Sequence, residues 1–91
     1  MEKNHRDELL QHGILPAEYA TFVDALRNRY VECHAKNGYL QSPHEGYAVL
    51  LEETEEVKQL VFSRSRDKEQ MKKELVDVAQ VAMAMYLELC I

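Results

Sequence analysis

The sequence predicts an all-α fold: an antiparallel bundle of three main helices plus a short N-terminal helix, completed by oligomerisation. Apolar residues recur at three- and four-residue steps in three separate stretches, the spacing of amphipathic helices. Helix-starting residues, Pro16, Ser42-Pro43 and Asp67, stand in front of those stretches. Sustained alternation is absent, and no Asn-Gly or Asp-Gly hairpin joins β-branched runs.

Residues 1–14 are expected to form an N-terminal arm or short helix, with "KNHRDELLQH" (3–12) closed by Gly13. The first long helix begins at Pro16, and Tyr19, Phe22, Val23, Leu26, Tyr30 and Cys33 make its apolar stripe before Asn37-Gly38 stops it. Ser42 caps the second helix, Pro43 fits its first turn, and Glu45 completes a capping box. That helix runs to about Ser63, "SRSRD" turns the chain, and Asp67 caps a third helix reaching the chain end.

A chain of 91 residues makes a single domain, 1–91. So short a chain buries a small share of its surface, and from Val78 to Leu87 the third helix is apolar almost all round. Both features predict a homodimer or higher homo-oligomer. The net charge of −5, with "RSRDK" the densest basic run, argues against a nucleic-acid polymer as partner. Cys33 and Cys90 form neither a metal-spaced pair nor a disulfide framework. With no signal peptide and no spanning run, the expectation is a soluble, cytoplasmic protein with no membrane partner.

The chemistry lies in "LLEETEEV" (50–57). On a helical wheel Val49, Leu50, Val57, Leu60 and Val61 gather on one face. Glu53 falls in its middle, Glu56 toward its edge and Glu52 just beyond, while Glu55 points to water. The third helix repeats the pattern: Glu74 interrupts a stripe of Met71, Leu75, Val78, Ala82, Met85 and Leu89, and Asp77 borders it. Folding the two helices as a hairpin centred on Ser65 puts Glu53 level with Asp77, each twelve residues away, and Glu56 level with Glu74, each nine away. The two levels are about 4.5 Å apart, three residues of helical rise. Two carboxylates ~5 Å apart repel by roughly 3 kcal/mol at an effective dielectric near 20. Raised pKa values, basic partners or a bound cation must offset this. Oxygen-only ligands favour Mg²⁺, with Mn²⁺ as an alternative, over zinc.

"EETEE" and "ELVD", with seventeen residues between them, resemble the Glu-Glu-x-x-Glu … Glu-x-x-Asp signature of the MazG-like all-α NTP pyrophosphatase superfamily. "HEGYAVLLEETEEV" is also similar to the segment leading into that motif in small phage and bacterial members, so the likeness covers the motif-bearing hairpin at 42–90. The resemblance implies a hydrolase that splits a nucleoside triphosphate, or in some branches a diphosphate, between the α and β phosphates. It implies Mg²⁺ ligands at Glu53, Glu56, Glu74 and Asp77. Glu52 would support the site or engage an additional metal, and Glu52 or Glu56 would orient the attacking water. A nucleotide-pool house-cleaning role follows from the same likeness.

Members of the family usually add a further helix with basic residues that contact the nucleotide. Here the stretch after Asp77 offers Gln80 alone, and Lys73 is the other candidate substrate residue. A second subunit supplying the missing contacts, an unusual substrate and lost activity all remain open. The alternative to an enzyme is a non-catalytic helical oligomer that serves as an interaction or regulatory module and keeps the fold, with or without the metal site.

Other readings are plainer. Glu74 and Asp77 taken alone are explained by pairing with Lys73 or Lys72. His44 is a first-turn residue, and His5, His12 and His34 read as surface histidines. Phe22, Tyr30 and Tyr47 read as core or interface aromatics, with one of them able to stack on a base.

Overall fold

A computed structural model describes residues 16–64 and 66–90. The expected helix at 3–12 and its Gly13 stop lie outside the described residues. Three helices account for the fold: α1 (Pro16–Asn37), α2 (Pro43–Phe62) and α3 (Lys68–Leu89), with no strand among the described residues.

Side-chain and backbone chemistry fixes their ends. Gly38 takes φ 74° and donates its N–H to the His34 carbonyl at 2.8 Å, the left-handed stop expected from Asn37-Gly38. The Ser42 hydroxyl accepts the Glu45 N–H at 3.1 Å. Glu45 reaches back one residue further than a capping box requires and accepts the Gln41 N–H at 2.8 Å. Asp67 accepts the N–H groups of Glu69 and Gln70, each at 3.1 Å.

The helices form an open layer and not a closed bundle. α3 lies in the middle and packs against both neighbours, whereas α1 and α2 do not pack on each other. α2 runs antiparallel to α3, as the short turn requires. α1 runs along α3 in the same direction: Phe22 shares a cavity with Lys72 and Val76, while His34 lies near Glu88.

One layer of three helices cannot cover both of its faces, so Val81 and Ala84 are the apolar core among the described residues. The buried strip of α3 contains Asp77, Gln80, Val81 and Ala84, turned from the expected stripe. Leu75, 47% exposed, and Ala82 lie outside it. The reason is that α3 has partners on two sides, which places Asp77, Val81 and Ala84 at the bottom of the groove between them. On α2 Val49, Leu50, Val57 and Leu60 are half-buried as expected, but Val61 is 52% exposed. On α1 Leu26, Tyr30 and Cys33 are half-buried, while Tyr19, Phe22 and Val23 face outward.

α2 crosses α3 closely at Gly46, where an added Cβ would lie 2.9 Å from Met85 Cγ and 3.2 Å from its Sδ. Gly46→Val should therefore cost about 1–3 kcal/mol through overpacking. Gly38→Ala, with nothing within 4 Å of the added carbon, should cost about 1–2 kcal/mol through backbone conformation alone. Urea midpoints measure both, and Gly38→Asn should recover part of the second loss but none of the first.

Candidate metal centre

The hairpin register brings the four acids together. One carboxylate oxygen from each of Glu53, Glu56, Glu74 and Asp77 lies within 4.8 Å of the others. Asp77 is buried at 8% exposure, Glu53 and Glu74 are half-buried, and Glu56 is exposed at the rim. Lys72 pairs with Glu69 at 3.6 Å, and Lys73 is exposed, so neither lysine accounts for the acids.

The electrostatics of the cluster are unfavourable as it stands. Burial, followed by the neighbouring Glu56 and Asp77 carboxylates, pushes the Glu53 pKa up to about 7. Burial and the contact with Glu56 also raise Glu74, against a lowering contribution from Gln70. Gln70 donates from Nε2 to Glu74 Oε1 at 2.7 Å, and this orients the carboxylate. The other oxygen of Glu74 and Oε2 of Glu53 are buried and accept no hydrogen bond. Two orphaned carboxylate oxygens among converging acids fit a divalent cation. The set offers oxygen donors alone, the donor type that hard divalent cations take.

α1 contributes a residue that the sequence reading did not single out. Arg29 donates from Nε to Asp77 Oδ1 at 2.6 Å and from Nη1 to Glu32 Oε1 at 2.8 Å. The same signal that singled out Glu53 could have found it, because Arg29 interrupts the apolar stripe between Leu26 and Cys33.

A cleft of about 510 Å³ opens beside the acids, between α1 and α2 and above α3. Glu52 and Glu53 stand on its α2 wall, and Gln80 and Val81 on its floor. Glu52 is thus beside the four-carboxylate group and not within it. Gln80 is buried and faces the cleft, whereas Lys73 is not among the lining residues.

The far end of the cleft is held by Glu88. Its carboxylate accepts the Tyr30 hydroxyl and the Leu40 N–H, each at 2.7 Å. The bond to Glu88, then burial, pushes the Tyr30 hydroxyl up to about 12. His34 is no surface histidine: its ring lies 4.2 Å from that of Tyr39, and its Nδ1 is buried without a hydrogen bond. Glu88 is the only charged residue after Asp77, a sign in the sequence that it is held by something specific.

The sign of the pH dependence follows from Glu53. Its folded pKa of about 7 exceeds the ordinary 4.5, so between these values the folded chain holds a proton that the unfolded chain has lost. The resulting stabilisation is complete below the lower value and lost as pH rises through the upper one. Without divalent cation, the melting temperature should fall from about pH 5 to about pH 8 more steeply in the native chain than in Glu53→Gln. Saturating Mg²⁺ should restore most of that loss. Parallel profiles for the two proteins would contradict it.

No family model, curated protein or solved structure matches the chain.

Proposed function

We propose that this chain is a Mg²⁺-dependent nucleoside triphosphate pyrophosphohydrolase of MazG-like type, converting an NTP or dNTP to the monophosphate and pyrophosphate in nucleotide-pool house-cleaning. One observation carries the reading: four carboxylates from adjacent helices come within 4.8 Å of one another, and one of them, Glu53, also lines a cleft of about 510 Å³. A triphosphate against these acids would be repelled, so a cation between them is the arrangement that makes the two compatible. The opposite end of the cleft, lined by Tyr30, His34 and Leu40, offers aromatic and apolar side chains of the kind that suit a base.

Glu53, Glu56, Glu74 and Asp77 would hold the ion. When bound, Mg²⁺ supplies charge neutralisation on the phosphates and lowers the pKa of a coordinated water. Glu56 is committed to the cluster, and Glu52, on the cleft wall just outside it, is the better candidate to accept the proton of the attacking water. The water oxygen bonds to the α phosphorus, the bond from that phosphorus to the bridging oxygen breaks, and its electron pair leaves with pyrophosphate. Gln80 presents a neutral amide from the floor, suited to a sugar or base.

Pyrophosphate release from a panel of canonical and modified NTPs and dNTPs tests the reading. Glu53→Gln and Asp77→Asn should lose both Mg²⁺ binding by calorimetry and turnover. Glu52→Gln should keep Mg²⁺ affinity while kcat falls by about 10²–10⁴-fold. Mg²⁺ binding with no turnover on any nucleotide would favour the non-catalytic interaction module, and neither binding nor turnover would remove both.

The active form is proposed to be a homo-oligomer. Tyr47, Leu51 and Val61 form one exposed strip on α2, continued by Phe62 at 75% exposure. Leu75, Ala82 and Tyr86, the last at 74%, form another on α3. On the helical wheel both strips turn away from the cleft-lining positions, so a partner covering them leaves the cleft open. Light scattering at micromolar concentration should give at least a dimer, and Phe62→Ser combined with Tyr86→Glu should give monomer. A monomeric native chain would refute this assembly.

A further inference from the structure

We infer that Arg29 is an internal counter-ion of the carboxylate cluster: it holds the site together when no cation is bound, and its positive charge sets how tightly a cation binds. The inference rests on reading the cluster as a cation site. Arg29 reaches from α1 across to α3 and bonds Asp77, the most buried of the four acids, at 2.6 Å. Among the described residues no other basic side chain is paired with any of the four. Its second partner, Glu32, is an exposed residue one turn along α1. Glu32 thereby fixes the guanidinium from behind without adding a carboxylate to the cluster.

Two effects of Arg29 on a bound divalent cation oppose each other. As a fixed donor it orients Asp77, and loss of such a donor typically weakens metal binding by about 10–100-fold. As a fixed positive charge within a few ångströms it repels the incoming ion and stabilises the ion-free cluster. Charge is expected to win here. Asp77 is buried on a helix that packs against both neighbours, so its orientation does not depend on one hydrogen bond. Among the described residues, the repulsion among the four acids has no other compensation from a basic side chain.

The prediction has a sign that a purely structural salt bridge does not share. Arg29→Met should melt lower than the native chain without divalent cation, bind Mg²⁺ roughly tenfold more tightly by calorimetry, and show a larger Mg²⁺-induced rise in melting temperature. Arg29→Lys, which keeps the charge but not the fork of donors, should bind Mg²⁺ within about threefold of the native chain. Glu32→Gln should leave affinity unchanged or slightly weaker. If Arg29→Met is unfolded alone, recovery of helical circular dichroism on adding Mg²⁺ supports the inference. Failure to fold at saturating Mg²⁺ overturns it, as does unchanged or weaker binding by the folded variant. Absence of Mg²⁺ binding by the native chain would sink the cation-site reading itself, which distinguishes the two failures.

Discussion

The register of the α2–α3 hairpin is the constraint on which the rest of this structure depends. A short turn between antiparallel helices leaves no freedom over which residues become level, and here the level positions are acids on both sides. Each pair at ~5 Å opposes folding by roughly 3 kcal/mol at an effective dielectric near 20, against a total stability for a small domain of about 5–15 kcal/mol. Several features of the site are responses to that repulsion. Burial and the neighbouring carboxylates push the Glu53 pKa up to about 7. Asp77 takes a guanidinium from α1, and Glu74 is steadied by Gln70 one turn earlier. Two buried oxygens are left over, and they are what an external cation would satisfy.

Openness is the second organising property, and it follows from α3 having a helix on each side. Because α1 and α2 do not meet, the groove between them is a cleft and not a core. Glu88 closes one end of it by holding Tyr30 and the Leu40 backbone, which fixes the α1–α2 connection over the end of α3. The acids occupy the opposite end. The same one-layer arrangement leaves the reverse of α2 and α3 apolar and uncovered. Cleft and sticky reverse face are two consequences of one architecture, so a partner on the reverse face would stabilise the layer without filling the cleft.

Much of this was legible in the sequence because it depends on local rules. Helix ends came from Pro16, Asn37-Gly38, Ser42-Pro43 and Asp67, each of which acts within one turn of itself. The convergence of Glu53, Glu56, Glu74 and Asp77 came from helical rise and one turn, with no long-range information needed. What the sequence left unread was set by the third partner. The inward face of α3 lay at Asp77, Val81 and Ala84 and not along Leu75 and Ala82, because periodicity reports an apolar stripe but not how many neighbours share it. Arg29 and Glu88 were missed for the same reason: their partners are 48 and 58 residues away along the chain. Both nevertheless break an apolar stripe, the property by which Glu53 was recognised.

Site and core compete for the same ground in this chain. The buried residues of α3 are two polar groups, Asp77 and Gln80, interleaved with two apolar ones, Val81 and Ala84. In a helix selected for stability alone, that strip would be continuous leucine or valine, since even a part-buried ion pair seldom outperforms apolar packing of similar volume. The Arg29–Asp77 pair and the neutral amide of Gln80 therefore stand where the strongest hydrophobic contacts of the fold would be. A domain this small has little surplus with which to sustain such a substitution. Ligand binding at the acids and burial of the apolar reverse face are the two sources of free energy that the architecture leaves available, and they act on opposite sides of the same central helix.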